Sequence, residues 1–84
     1  MTRFTFEFIS SFNGESDYHL FKDGRANTRI TVDHATLELS YADRSPVLKN
    51  EVAAFNAMIA AEYDAARAKY PEHVGETPIY RPRA

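Results

Sequence analysis

The reactive inventory of this 84-residue chain is three histidines, twelve carboxylates, scattered hydroxyls and no cysteine. His19, His34 and His73 lie far apart, with neither His-Glu-x-x-His nor His-x-His spacing. Asp17 and His19 fall two residues apart, on one face of a strand. That spacing suits an acid–base pair or half a metal site, and equally the solvent side of an ordinary strand, which is the plainer account. Asp33-His34 reads as a turn. Glu7 and Glu38 are the only carboxylates to consider for glycosidase-type chemistry, and solvent-side charge on a one-sided sheet is their default. Ser10 and Ser11 lack a surrounding Gly-x-Ser-x-Gly elbow. Three isolated glycines make neither a phosphate loop nor a dinucleotide fingerprint. Without cysteine there is no thiolate nucleophile, disulfide or Cys-based zinc site. The expectation is a chain with no catalytic residues, no metal and no cofactor.

The elements that would position these groups follow from periodicity. From Thr2 to Phe12 the chain alternates, with Phe4, Phe6 and Phe8 on one face and Arg3, Thr5 and Glu7 on the other. Asn13-Gly14-Glu15-Ser16 breaks that strand with turn chemistry. A second strand, Tyr18–Lys22, meets Asp23-Gly24, the dipeptide of a type I′ hairpin turn. A third strand spans Ala26–Val32. After a tight connection at Asp33-His34, a fourth spans Thr36–Tyr41. Ser45-Pro46 has the form of an N-cap followed by a first-turn proline. From there to Tyr70 the residues Leu48, Val52, Phe55, Ile59, Ala66 and Tyr70 recur at helical steps, and Pro71 stops them.

These segments predict an α+β fold: a four-stranded antiparallel meander with one long amphipathic helix packed across one face. Residues 1–70 form the domain. Residues 71–84, with Pro71, Pro78 and Pro82, form an extended tail that docks through Val74, Ile79 and Tyr80. In a meander the 13–16 and 33–35 connections share an end, so Glu15, Asp17 and Asp33 gather there. A helix from Pro46 to Tyr70 would be about 37 Å long, against about 20–24 Å for the strands. Its last turns overshoot that acidic end, leaving Tyr63, Ala66 and Tyr70 to be covered by the tail, a second copy or a partner.

Charge narrows the partner. The net charge is −2, with ten of the twelve acids but only six of the ten bases at or before Asp64. Nucleic-acid binders are normally basic. The cluster Lys22, Arg25, Arg29 and Arg44, near Tyr18 and Tyr41, is therefore a minor candidate for direct nucleic-acid binding. No apolar run approaches the roughly 20 residues of a membrane helix, and no basic-then-apolar leader opens the chain. With no staples in so small a domain, the expected compartment is the cytoplasm. The favoured expectation is a non-catalytic protein-binding module, contacting a partner's basic groove through Glu15, Asp17, Asp33, Tyr63, Tyr70, Tyr80 and Arg81. In size and type it resembles the small phage and mobile-element inhibitors of host nucleic-acid-processing complexes, anti-CRISPR and anti-restriction proteins among them. The rival expectations are a small dimeric ligand-binding or enzymatic domain using Asp17 and His19, and a self-assembling accessory subunit, so a homodimer is also considered.

Overall fold

In a computed structural model, which describes residues 2–83, the alternating half of the chain folds into four antiparallel strands. β1 (Phe4–Phe12), β2 (Glu15–Lys22), β3 (Arg25–Asp33) and β4 (Glu38–Tyr41) lie side by side in chain order. Two turns of two residues join the first three. Asn13, Gly14, Asp23 and Gly24 all have positive φ, at 52°, 77°, 52° and 82°. This is the turn geometry whose twist matches the strands it joins. The first connection is thus shorter than the 13–16 loop expected, because Glu15 and Ser16 already belong to β2 and Phe12 lies opposite Glu15. The third connection is wider. The Asp33 carboxylate accepts the amide hydrogens of Ala35 and Thr36 at 2.8 and 3.1 Å.

One irregularity in β1 decides what the sheet exposes. The register slips between Phe8 and Ser10. Before the slip Phe4 and Phe6 pack toward the core. After it, Ser11 faces buried Ser16 and Phe12 crosses to the other side beside Glu15. A one-residue bulge reverses the phase of every side chain beyond it.

α1 runs from Lys49 to Lys69, 21 residues or about 31 Å. It begins later than the Ser45-Pro46 signal predicts, and Ser45 is not its cap. Asp43 instead accepts the Ser45 amide and hydroxyl hydrogens at 3.0 and 2.7 Å. Arg44 adopts a left-handed φ of 64°, and the Leu48 amide donates to the Tyr41 hydroxyl at 3.4 Å. These bonds fold residues 42–48 into a link. Leu48 becomes an N-cap without a side-chain hydrogen bond. At the far end the chain leaves the helix ahead of Pro71, as expected.

The helix lies on the Phe4 and Phe6 face, and Phe55 is its anchor. The rings of Phe6, Tyr18 and Tyr80 meet Phe55 edge-on at 5.2, 5.2 and 5.4 Å. Around them Leu20, Ile30, Val32, Leu39 and Ile59 complete a single buried cluster.

The tail adds a strand that the sequence reading does not contain. β5 (Arg81–Pro82) pairs with β4 in parallel, so the sheet has five strands. The Arg81 and Arg83 amides donate to the carbonyls of Leu37 and Leu39 at 2.9 and 2.8 Å. Pro82 stands between them, where no N–H is needed. The Asn56 side-chain amide grips the Tyr80 backbone like a neighbouring strand. Its Nδ2 donates to the Tyr80 carbonyl at 3.0 Å, and its Oδ1 accepts the Tyr80 amide hydrogen at 2.8 Å. Arg67 donates to the Gly75 carbonyl and the Thr77 hydroxyl at 2.9 and 2.6 Å. Of the three docking residues expected, Tyr80 is buried, Val74 is half-buried and Ile79 is exposed. Among the described residues no helix is long and apolar enough to cross a membrane.

Candidate functional site

With α1 on one face, the opposite face of the sheet carries no other element among the described residues. Strand register writes out its side chains. At one end Phe12, Glu15, Asp33, Glu38 and Arg81 stand in a single cross-strand row. The next row holds Ser10, Asp17, Thr31 and Ser40, and the one after it Glu7, His19 and Arg29. The meander therefore does bring Glu15, Asp17 and Asp33 together, and adds Glu38 to them.

Three carboxylates side by side on adjacent strands repel one another. Asp33 is the most relieved. The Thr36 and Ala35 amides hold its carboxyl below the ordinary 3.8, with a smaller contribution from Arg83. Asp17 is tied at 2.9 Å by the Thr31 hydroxyl. Beside them Phe12 is 78% exposed, so an apolar ring borders the acidic patch.

Of the remaining predicted contact residues, Arg81 stands in the acidic row and the three tyrosines do not. Tyr63 is half-buried, with the Arg67 guanidinium 5.9 Å from its ring centre. Tyr70 is 53% exposed just past the helix end, under Lys69. Tyr80 is buried against Phe55, and burial raises its phenol above the ordinary 10.0. Arg81 is exposed on β5, in register with Glu38.

The candidate reactive pairs are kept apart. Asp17 binds Thr31 rather than His19, whose ring lies edge-on to Phe21 at 6.2 Å. Glu7 and Glu38 sit on β1 and β4, three strand spacings (about 14 Å) apart across the sheet and two rows apart along the strands. A serine–histidine contact that the sequence did not suggest does form, with Ser16 Oγ 2.6 Å from His34 Nε2. Ser16 is 4% exposed and also bonded to the Ser11 hydroxyl, so it ties β1 and β2 to the β3–β4 connection where no substrate carbonyl could reach it.

The basic cluster divides as well. Lys22 turns to the helix side and meets buried Glu51 at 2.6 Å. Tyr18 packs on Phe55, and Tyr41 is buried. Arg29 and Arg44 instead line a groove of about 700 Å³ together with Arg83 from the tail. Phe12, Arg83, Asn56 and the Lys22–Glu51 pair were all missed in sequence. The one signal available for Phe12 was the adjacent pair Phe8-Ile9, which breaks the alternation. Among the described residues no group of three His, Asp or Glu side chains is placed to hold a metal ion.

No protein-family model, curated protein or solved structure matches this chain.

Proposed function

We propose that the chain is a non-catalytic protein-binding module working in the cytoplasm, presenting the acidic end of its bare sheet face to a basic surface. The observation that carries this reading is Phe12, 78% exposed and in register with Glu15, Asp33 and Glu38. A large apolar side chain ringed by charge is the composition of an interface anchor with a steering rim. A basic groove that binds nucleic acid is the surface such a patch complements. Occupying it would block it, so the reading extends to an inhibitor of a nucleic-acid-processing complex, of the kind small phage and mobile-element proteins supply.

The test is capture of the tagged chain's partners from nuclease-treated bacterial lysate, with Phe12→Ala and Glu15→Lys/Glu38→Lys in parallel. Asp33 is left intact because its carboxylate shapes the 33–37 turn. One stoichiometric protein, retained by the parent chain and lost with both variants, is the expected result. Retention by both variants would sink the reading, and loss on nuclease treatment would transfer it to nucleic acid.

A second reading, self-assembly, is favoured by the free edge of β1. Asp23, in the turn after β2, bonds back to Arg3, so by alternation the amides of Phe4, Phe6 and Phe8 point away from β2. Two copies paired antiparallel about Thr5 would set Phe4 opposite Phe6 and Arg3 opposite Glu7 of the second chain. That register is self-complementary in both hydrogen bonds and charge. Mass measured in solution should then show a dimer that Arg3→Glu weakens and Arg3→Glu/Glu7→Arg restores. A monomer at every concentration ends this version.

A further inference from the structure

The other end of the bare face has a different chemistry. Arg29 comes from β3, Arg44 from the β4–α1 link and Arg83 from the segment following β5, and all three line one groove. Register explains the convergence. Ser40 lies opposite Thr31, and the Ala42 amide bonds to the Arg29 carbonyl. On the other side Arg83 follows Pro82, the partner of Leu39, and so stands level with Ser40. The small side chains of Ser40 and Ala42 are thus a floor with arginines on both sides. The 43–47 segment closes one end. There Asp43 holds Ser45, and Arg44 sits in a left-handed conformation that arginine does not favour. None of the three guanidinium groups forms an ion pair or a side-chain hydrogen bond among the described residues. The nearest link carboxylate, Asp43, is already engaged, and Ser45 holds it below the ordinary 3.8.

We infer that this groove is a binding site for a phosphate group on a small ligand. Three arginines from three elements line this groove and repel one another unless an anion sits between them; Arg83 also borders the acidic row, where it helps to hold the Asp33 carboxyl low. The planar guanidinium fork matches phosphate oxygens two at a time, and the Ser40 hydroxyl adds a donor from the floor. A groove of about 700 Å³ falls within the range of small-ligand pockets, roughly 300–1,000 Å³. The site adjoins the acidic row, with which it shares Thr31, Ser40 and Arg83, but its proposed ligand does not follow from what that row binds.

The experiment is calorimetric titration of the whole chain with pyrophosphate at low ionic strength, with a single-stranded oligonucleotide as the second arm. Saturable one-to-one binding is expected. Arg29→Gln, Arg44→Gln and Arg83→Gln should each weaken it about tenfold, the loss of one charge-assisted hydrogen-bonding partner. Arg25→Gln, at the exposed hairpin end outside the groove, removes the same charge and should leave binding unchanged. Circular dichroism confirms that each variant folds. Tighter oligonucleotide binding with the same three-residue dependence would identify the phosphate as that of a nucleic acid. No saturable binding, or an equal loss in Arg25→Gln, overturns the proposal.

Discussion

At the scale of the residue, the least ordinary group is Glu51. Its side chain is 1% exposed, and among the described residues neither carboxylate oxygen has a well-aligned hydrogen bond, although Lys22 Nζ lies 2.6 Å from Oε1. Two terms compensate the buried charge: the Lys22 ammonium, itself 31% exposed, and the positive end of the helix whose first turn holds Glu51. Removing one partner of such a pair costs far more than replacing both. Lys22→Met should therefore destabilise the fold by about 3 kcal/mol, and Lys22→Met/Glu51→Leu should recover most of that. Urea unfolding of the two variants decides it, and equal stability of the single and double variants would show that the pair is not coupled. The buried phenols make a pH prediction. Burial raises both Tyr18, where Glu62 adds to the effect, and Tyr80 above 10.0. The neutral phenol is the form the fold favours, so its stabilisation is complete below pH 10.0 and is lost as pH rises through the higher folded values. Phenolate absorbance should show Tyr18 and Tyr80 titrating above 10.0 in the folded chain, the lag vanishing in urea.

At the scale of the element, the chain's periodicity carries β1 to β4 and the body of α1, because a one-sided sheet and its helix sort apolar residues by phase. The Asn13-Gly14 and Asp23-Gly24 turns are equally legible, since few other dipeptides accept two positive φ angles. What periodicity cannot carry is a bond made at a distance. Ser45-Pro46 has the right residues for a helix start, but Asp43 and the Tyr41 hydroxyl claim the backbone there first. β5 is invisible because its neighbours and its own Pro82 read as loop, and only the parallel register with β4 makes that proline harmless. The candidate sites divide the same way. Glu15 and Asp33 could be placed together from the meander alone, whereas Phe12 needed the bulge and Arg83 needed β5. Asn56 is the residue through which helix and tail are joined. Asn56→Ala should cost about 2 kcal/mol, from two hydrogen bonds at about 1 kcal/mol each. Amide exchange at Arg81 and Arg83 should accelerate while that of α1 is unchanged. Protection of β5 equal to that of the parent would mean the Tyr80 ring alone holds the tail.

At the scale of the whole molecule, a two-layer body of 38 × 30 × 21 Å has room for one thin core, and Tyr80 contributes to it from beyond the helix. Tyr80 in the core, its bonds to Asn56 and the pairing of β5 with β4 tie the end of the tail to the body, so the two are expected to unfold together. A chain of this length is stable by roughly 4–13 kcal/mol, and truncating a buried aromatic side chain costs about 3–5 kcal/mol. Tyr80→Ala should thus remove a large part of the total, and strand and helix signals should still be lost in one transition. The consequence reaches the bare face. β5 stands Arg81 beside the acidic row, and the strand's continuation places Arg83 level with Ser40 in the arginine groove. Loosening the tail should therefore weaken pyrophosphate binding at temperatures where circular dichroism still reports a folded chain. If Tyr80→Ala instead left the unfolding midpoint of the body where it was, the tail would be a separate unit. The groove would then have to be built from Arg29 and Arg44 alone, and Arg83→Gln would leave its affinity unchanged.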